Sequence, residues 1–192
     1  MMIKCKTIGL RVAEIEDRRK IFEWLTQSDI TLSMMGKPNY PDHLVPSWEN
    51  FQQDYTEAFF DENADEKGRN YIILLAETEI GTIGYDSLDR QTGTVDLDIW
   101  MKEEKYCGHG YGTEALTCLI GYLHEKYGIT IFRVDPSARN ERAIRAYKKA
   151  GFRVEPDRVW NRRPDYEDAI SMKLEMAPNK ATMHTDGPSA RR

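Results

Sequence analysis

Cysteine and histidine are scarce in this chain, three and four residues respectively out of 192. Cys5, Cys107 and Cys118 are odd in number and show no C-x-x-C spacing. With so few histidines beside them they make neither a disulfide framework nor a zinc site, so they read as reduced thiols and no metal is expected. Long apolar runs are missing as well. Nothing approaches the roughly 20 residues of a membrane-spanning helix, and no membrane partner is expected. The opening MMIKCKTIGL lacks the basic start and apolar stretch of a secretory signal, which points to the cytoplasm. Nor is there an excess of positive charge. Lys and Arg number 27 against 32 Asp and Glu, for a net charge of −5, which argues against a general affinity for nucleic acid and hints at cationic partners.

What is present suits one buried core: 40% of residues are hydrophobic and 31% charged. Residues 7–13 read as a first strand. Asp17 is placed to cap a helix carrying Ile21, Phe22 and Leu25 at helical spacing. Four glycines and prolines between Gly36 and Pro46 make an irregular loop, beyond which Ser47 caps a second helix with Trp48, Phe51, Tyr55, Ala58 and Phe59 on one face. Met34, Met35, Tyr40 and Trp48 surround that loop, the expected lid over an acceptor, although an apolar cluster there more often caps the core than contacts substrate. A polar turn containing Gly68 leads to strands at 71–76, 80–88 and 92–101. In the last of these, Val95, Leu97, Ile99 and Met101 point one way and Asp96, Asp98 and Trp100 the other. A helix is expected from about Gly112 to Tyr127, with Ala115, Leu116, Leu119, Ile120 and Leu123 as its buried stripe. A strand at 130–134 follows, then a helix capped by Asn140 and ended by Gly151, and two closing strands at 152–159 and 169–175. The run Arg158–Arg163 reads as a solvated hairpin. Residues 1–176 are expected to form one domain, and 177–192, without apolar periodicity, a disordered tail. This order predicts a mixed α/β (α+β) fold whose central sheet is covered by helices.

The segment Gly108-His109-Gly110-Tyr111-Gly112-Thr113 stands between a strand and a helix. Closely spaced glycines let backbone N–H groups approach an anion, and a helix N-terminus adds unpaired donors and positive dipole. Such a loop suits a pyrophosphate, although three glycines also make a tight strand-to-helix connection. No Gly-Lys-Ser/Thr ends it and the GxGxxG spacing is absent, which excludes a Walker loop and a dinucleotide fingerprint.

Downstream, Asp135-Pro136-Ser137-Ala138-Arg139-Asn140 leads into a helix reading N-x-R-A-I-x-x-Y-x-K-x-G-F from Asn140 to Phe152. Together with the GxGxGT loop, this resembles the GNAT N-acetyltransferases, from the first strand to about residue 175. The resemblance implies a mostly antiparallel sheet flanked by helices on both faces, and acetyl-CoA as acetyl donor. Its pyrophosphate would lie on Gly108, His109, Gly110, Tyr111, Gly112 and Thr113, and its pantetheine arm beside Asn140 and Tyr147. A splayed strand near Trp100 or Met101 would offer an N–H to the thioester carbonyl. One departure stands out: the family's usual Arg or Gln opening the loop is Cys107 here, so the loop must rely on backbone donors. Within the family, the run from Asp135 to Phe152 is similar to that of bacterial aminoglycoside 6′-N-acetyltransferases. That branch also has a strand aspartate ten residues before the first loop glycine, where Asp98 stands. Siderophore-lysine and ribosomal-protein acetyltransferases are related branches.

Acetyl transfer to an amine needs a free lone pair, a polarised thioester and a proton for the leaving thiolate. An alkyl ammonium with a pKa near that of lysine is neutral in under about one part in a thousand at pH 7. A carboxylate beside it can orient it and accept its proton. Asp98 is the leading candidate, with Asp96 on the same strand face; the bland alternative is two aspartates facing solvent. Tyr147 is placed to protonate the thiolate, or is a core tyrosine. Asn140 is a ligand contact, a plain helix cap, or both. Asp135, ending a strand, either binds a cationic substrate or only starts the Asp-Pro turn. The expected acceptor is thus the primary amine of a small cationic molecule, bound by Asp96, Asp98 and Asp135. A protein N-terminus, a siderophore lysine or a non-catalytic acetyl-CoA sensor are the alternatives, and the protein is expected to be a monomer or homodimer.

Overall fold

The computed structural model describes residues 2–34, 44–61, 68–155 and 167–178, with Leu32 and Ser33 described by backbone only. Met35, Tyr40, the hairpin at 158–163 and the tail from residue 179 lie outside them. Eight strands form one sheet: β1 (Met2–Lys4), β2 (Ile8–Val12), β3 (Gly68–Leu75), β4 (Thr78–Asp89), β5 (Thr94–Met101), β6 (Ile131–Val134), β7 (Arg153–Val154) and β8 (Met172–Glu175). Their order across the sheet is β1-β2-β3-β4-β5-β6-β8-β7. Every pairing is antiparallel except β5 with β6. The parallel pair is joined by α4 (Tyr111–Tyr127), a connection long enough to return the chain to the same end of the sheet.

Helices cover both faces, and the alternation of the strands decides which residue meets which layer. On one face Leu10, Tyr71, Ile73, Ile83, Val95, Leu97 and Phe132 pack under α4, whose Leu116, Leu119 and Leu123 are fully buried, and under Tyr147 of α5 (Glu141–Ala150). On the other, Ile72 and Trp100 pack under Ile21, Phe22 and Trp24 of α1 (Asp17–Gln27) and Phe51 of α3 (Trp48–Asp54). A short helix α2 (Thr31–Met34) follows α1. Each fully buried Leu, Ile or Phe contributes about 1.5–3 kcal/mol by leaving water.

Four local expectations are revised. β1 adds an edge strand before the first expected one. Asp17 is the first residue of α1 and does not cap it. Its carboxylate instead takes the Glu14 N–H at 2.9 Å, Arg11 at 2.8 Å and Lys20 at 2.9 Å, with Glu79 of β4 bound by the same two cations. Burial alone would raise the Asp17 carboxyl, but Arg11, the Glu14 N–H and Lys20 outweigh it and hold it down at about 2. The second helix stops at Asp54 and gives way to a 3-10 turn at Glu57–Phe60, because Arg18 Nη2 and Nε seize the carbonyls of Gln52 and Tyr55, both at 2.7 Å. Gly68 is in β3 and not in a turn; a Cβ there would lie 2.1 Å from the Phe59 ring, so only glycine lets that ring seat against the strand.

The cysteines overturn the reading as reduced thiols. Cys5 and Cys118 form a disulfide across 113 residues, tying the chain between β1 and β2 to α4. One turn earlier on α4, Glu114 accepts the N–H groups of Thr7 and Ile8 at the same junction. Cys107 is the free cysteine. Among the described residues no His, Cys, Asp and Glu group could hold a metal, and no helix is long and apolar enough to cross a membrane.

Candidate active site

The parallel strands part company early. β5 and β6 pair from Thr94↔Ile131 only as far as Asp96↔Arg133, yet β5 runs on to Met101 and β6 to Val134. The gap opens into a cavity of about 1170 Å³ that reaches from β4 and α3 on one side to α4 and α5 on the other. Which backbone groups face the gap follows from alternation. Gly93 O accepts from Ile131 N on the β6 side, whereas Lys102 N donates to Ile80 O on the β4 side. Odd-numbered residues of β5 therefore turn their N–H and C=O toward the gap. Of the two expected thioester donors, Met101 points its N–H into it. Trp100 is turned toward β4, with its indole N–H donated to Trp24 O at 3.1 Å.

The glycine loop closes one wall of the cavity. Gly108 and Gly110 have φ of +78° and +90°, a region costly for any residue with a Cβ. A Cβ built on either meets nothing within 4 Å, so the space beside the backbone is open. Gly110 is the N-cap of α4 and carries no capping side chain, which leaves the N–H groups of Tyr111, Gly112 and Thr113 for an anion. Gly112 sits on β5, where a Cβ would touch Ile99 at 3.6 Å. The wall is made by Gly108, Gly110, Gly112 and Thr113. The rings of His109 and Tyr111 stack on each other at 5.7 Å, and neither residue is among those that line the cavity. Cys107 also lines the cavity, half-buried, and burial pushes its thiol up from its ordinary value.

From the same side of the cavity, at α5, come Asn140 and Tyr147. Asn140 lines the cavity and caps α5, accepting the Ala143 N–H at 3.0 Å, so both sequence readings of it are compatible. Tyr147 is 6% exposed, lines the cavity and packs edge-on to Phe152 at 5.7 Å. Core tyrosine and cavity tyrosine are one residue here.

The carboxylates sort themselves. Asp98 is exposed to the cavity; its Oδ2 accepts the Tyr55 hydroxyl at 2.8 Å and its Oδ1 the Ile99 N–H at 2.9 Å. Asp96, on the same face, is 6% exposed and ion-paired with Arg133 Nε of β6. Its charge is thus offset within the protein, which sets it apart from the other two aspartates. Asp135 lines the cavity at the end of β6 with Oδ1 buried and without a hydrogen-bond partner. Asp54 of α3 and Asp86 of β4 add further negative charge to the lining, while Arg142, Arg145 and Lys149 of α5 supply positive charge. Three contributors escaped the sequence reading: Tyr55, read only as a core residue; Arg133; and Asp168. Asp168 binds Ser137 Oγ at 2.9 Å and Arg139 Nε at 2.9 Å, and so pins the turn between Asp135 and Asn140. Of the expected lid, Met34 lines the cavity, whereas Trp48 stacks on Phe51 in the core.

The sheet is thus splayed beside a glycine loop of positive φ, and the gap between them is open to backbone donors. Residues 7–153 match the acetyltransferase (GNAT) domain, and the chain belongs to that family. It is 27% identical over 156 residues to the aminoglycoside N(6′)-acetyltransferase type 1 of Klebsiella pneumoniae, covering 76% of this chain and 74% of that protein. Among solved structures it is similar to the aminoglycoside acetyltransferase AAC(6′)-Ib in complex with ribostamycin and coenzyme A, with a TM-score of 0.69, 24% identity and coverage of 88% and 94% of the two chains. A ribosomal-protein alpha-N-acetyltransferase in complex with coenzyme A superposes with a TM-score of 0.70 at 15% identity, covering 92% and 98%. Likenesses this distant speak for the fold.

Proposed function

We propose that this protein transfers the acetyl group of acetyl-CoA to a primary amine of a small polycationic molecule of the aminoglycoside class. The observation that carries the reading is the two-sided cavity, with glycine-loop donors on one wall and Asp98 and the unpartnered Asp135 oxygen on the other. The residues fit the cosubstrate: the open space over Gly108 and Gly110 admits a pyrophosphate against backbone N–H groups, and the strand gap admits an extended arm. Acetyl-CoA, when bound, supplies an activated acyl carbon and a thiolate leaving group. Met101 N–H faces the gap, where it can polarise the carbonyl oxygen. Asp98 orients the ammonium and takes its proton, directly or through water, so that the nitrogen lone pair can form the C–N bond as the C–S bond breaks. Tyr147 delivers a proton to the departing sulfur and recovers one from water, the nitrogen sheds its second proton to water as the C–S bond breaks, and the products are an amide and a free thiol.

Asp135 gives the acceptor a second anchor. A buried carboxylate oxygen with no partner is costly to maintain, and a ligand ammonium would relieve that cost. Two carboxylates on different strands favour a molecule with several spaced amines over a single N-terminus. The decisive experiment measures thiol release from acetyl-CoA with kanamycin, an alanine- or serine-initiated peptide, and a lysine-derived hydroxamate as acceptors. Kanamycin should be turned over fastest, with monoacetylated product by mass spectrometry. Preference for the peptide would move the protein to the N-terminal branch, and release with none of them would make it a non-catalytic acetyl-CoA binder.

A further inference from the structure

Resting on the reading of Asp98 as the acceptor carboxylate, we propose that Tyr55 is the positioning residue that aims it. An exposed aspartate on a strand is ordinarily free to turn about two side-chain torsions. Here each oxygen is taken from a different direction: Oδ1 by the Ile99 N–H of its own strand at 2.9 Å, and Oδ2 by the Tyr55 hydroxyl at 2.8 Å. Only the second of these bonds reaches across the cavity wall, from the end of α3 to β5.

Tyr55 is itself held firmly. Its ring stacks on Phe51 at 4.4 Å and 11° between planes, and Phe51 is 1% exposed. Its N–H donates to Phe51 O at 2.8 Å, and its carbonyl accepts Arg18 Nε at 2.7 Å. With both backbone groups tied and the ring packed, the hydroxyl reaches Asp98 already ordered, and little entropy is lost in making the bond. The bond does not use up the carboxylate, because each oxygen can accept about two hydrogen bonds. The remaining lone pairs are left for the ammonium of the acceptor.

The arrangement explains why α3 stops where it does. Had the helix continued past Asp54 as its sequence pattern predicts, Tyr55 would sit in mid-helix. The Arg18 grip on Gln52 and Tyr55 carbonyls ends the helix with the ring directed at β5. Positioning of the catalytic carboxylate thus depends on a buried arginine of α1 that never reaches the cavity.

A double-mutant cycle of Tyr55→Phe and Asp98→Asn tests this, using the fastest acceptor among kanamycin, the peptide and the hydroxamate. Tyr55→Phe keeps the ring stack and should leave the melting temperature and calorimetric acetyl-CoA affinity near wild type. Its kcat should fall about tenfold to about a hundredfold, as expected for a hydrogen bond to a charged group, with a smaller change in acceptor KM. In the Asp98→Asn background the same substitution should cost nothing further. An undiminished kcat in Tyr55→Phe beside a crippled Asp98→Asn overturns the inference alone. So does an additive loss in the double variant, which would mean that Tyr55 acts elsewhere. Wild-type kinetics in Asp98→Asn, or no thiol release with any of the three acceptors, would overturn the reading of the site itself and this inference with it.

Discussion

Asp98 and Asp135 meet the cavity under opposite conditions. Asp98 has both oxygens hydrogen-bonded within the protein, whereas Asp135 buries one with no partner. On the proposed reading, Asp98 is thereby oriented toward the amine, and Asp135 is left to pair with a second ammonium of the acceptor. Removing the second charge should separate stability from function. Asp135→Asn keeps the shape of the side chain, so the free protein should melt no lower than wild type, while acceptor KM rises about tenfold or more. A lower melting temperature with unchanged KM would mean that the carboxylate only holds the Asp-Pro turn. Asp96 shows the limit of reading a strand by period two. Its parity with Asp98 was legible, since Val95 and Leu97 pack on one face and Trp100 on the other. Its ion pair with Arg133 was not, because it depends on the register Asp96↔Arg133 between strands 37 residues apart.

At the scale of elements, α4 and α5 were readable because every local signal agreed. Both end on a glycine with positive φ, Gly128 at +71° and Gly151 at +105°, and both bury a stripe at helical spacing. β1 escaped because three residues are too few to show an alternation. The splay of β5 from β6 has no sequence signal of its own; it is the point at which two strands cease to pair. The glycine loop is the element whose role can be tested most cleanly. At Gly110 a side chain would force a φ of +90° on an L-residue and fill the open space where a pyrophosphate would lie. Gly110→Val should therefore weaken acetyl-CoA binding severely, by about a hundredfold or more if the backbone donors lose their approach. Circular dichroism should still report a folded protein. Calorimetric titration with unchanged affinity in the folded variant would exclude the loop as the phosphate site.

For the molecule as a whole, a mixed sheet covered by helices followed from the order of elements, and its antiparallel majority and two helical layers from the family resemblance, but the cavity and the covalent link did not. Three cysteines without a spacing pattern gave no reason to pair Cys5 with Cys118; only the packing of the β1–β2 junction against α4 brings them together. A bond closing 113 residues removes considerable freedom from the unfolded chain, about 5 kcal/mol in the chain-entropy account. Urea unfolding with and without dithiothreitol should show a loss of roughly that size, reproduced by Cys118→Ser, and equal midpoints would contradict the link. In the proposed mechanism one side of the cavity serves the cosubstrate and the other the amine. The most direct test is the kinetics of Asp98→Asn against pH, with acetyl-CoA affinity measured on the same protein. Turnover at pH 7 should fall by about 10²–10⁴-fold and recover in part as pH rises and more of the amine is already neutral, while acetyl-CoA binds as to wild type. Wild-type turnover at neutral pH, or a loss of acetyl-CoA affinity matching the loss of turnover, would contradict it.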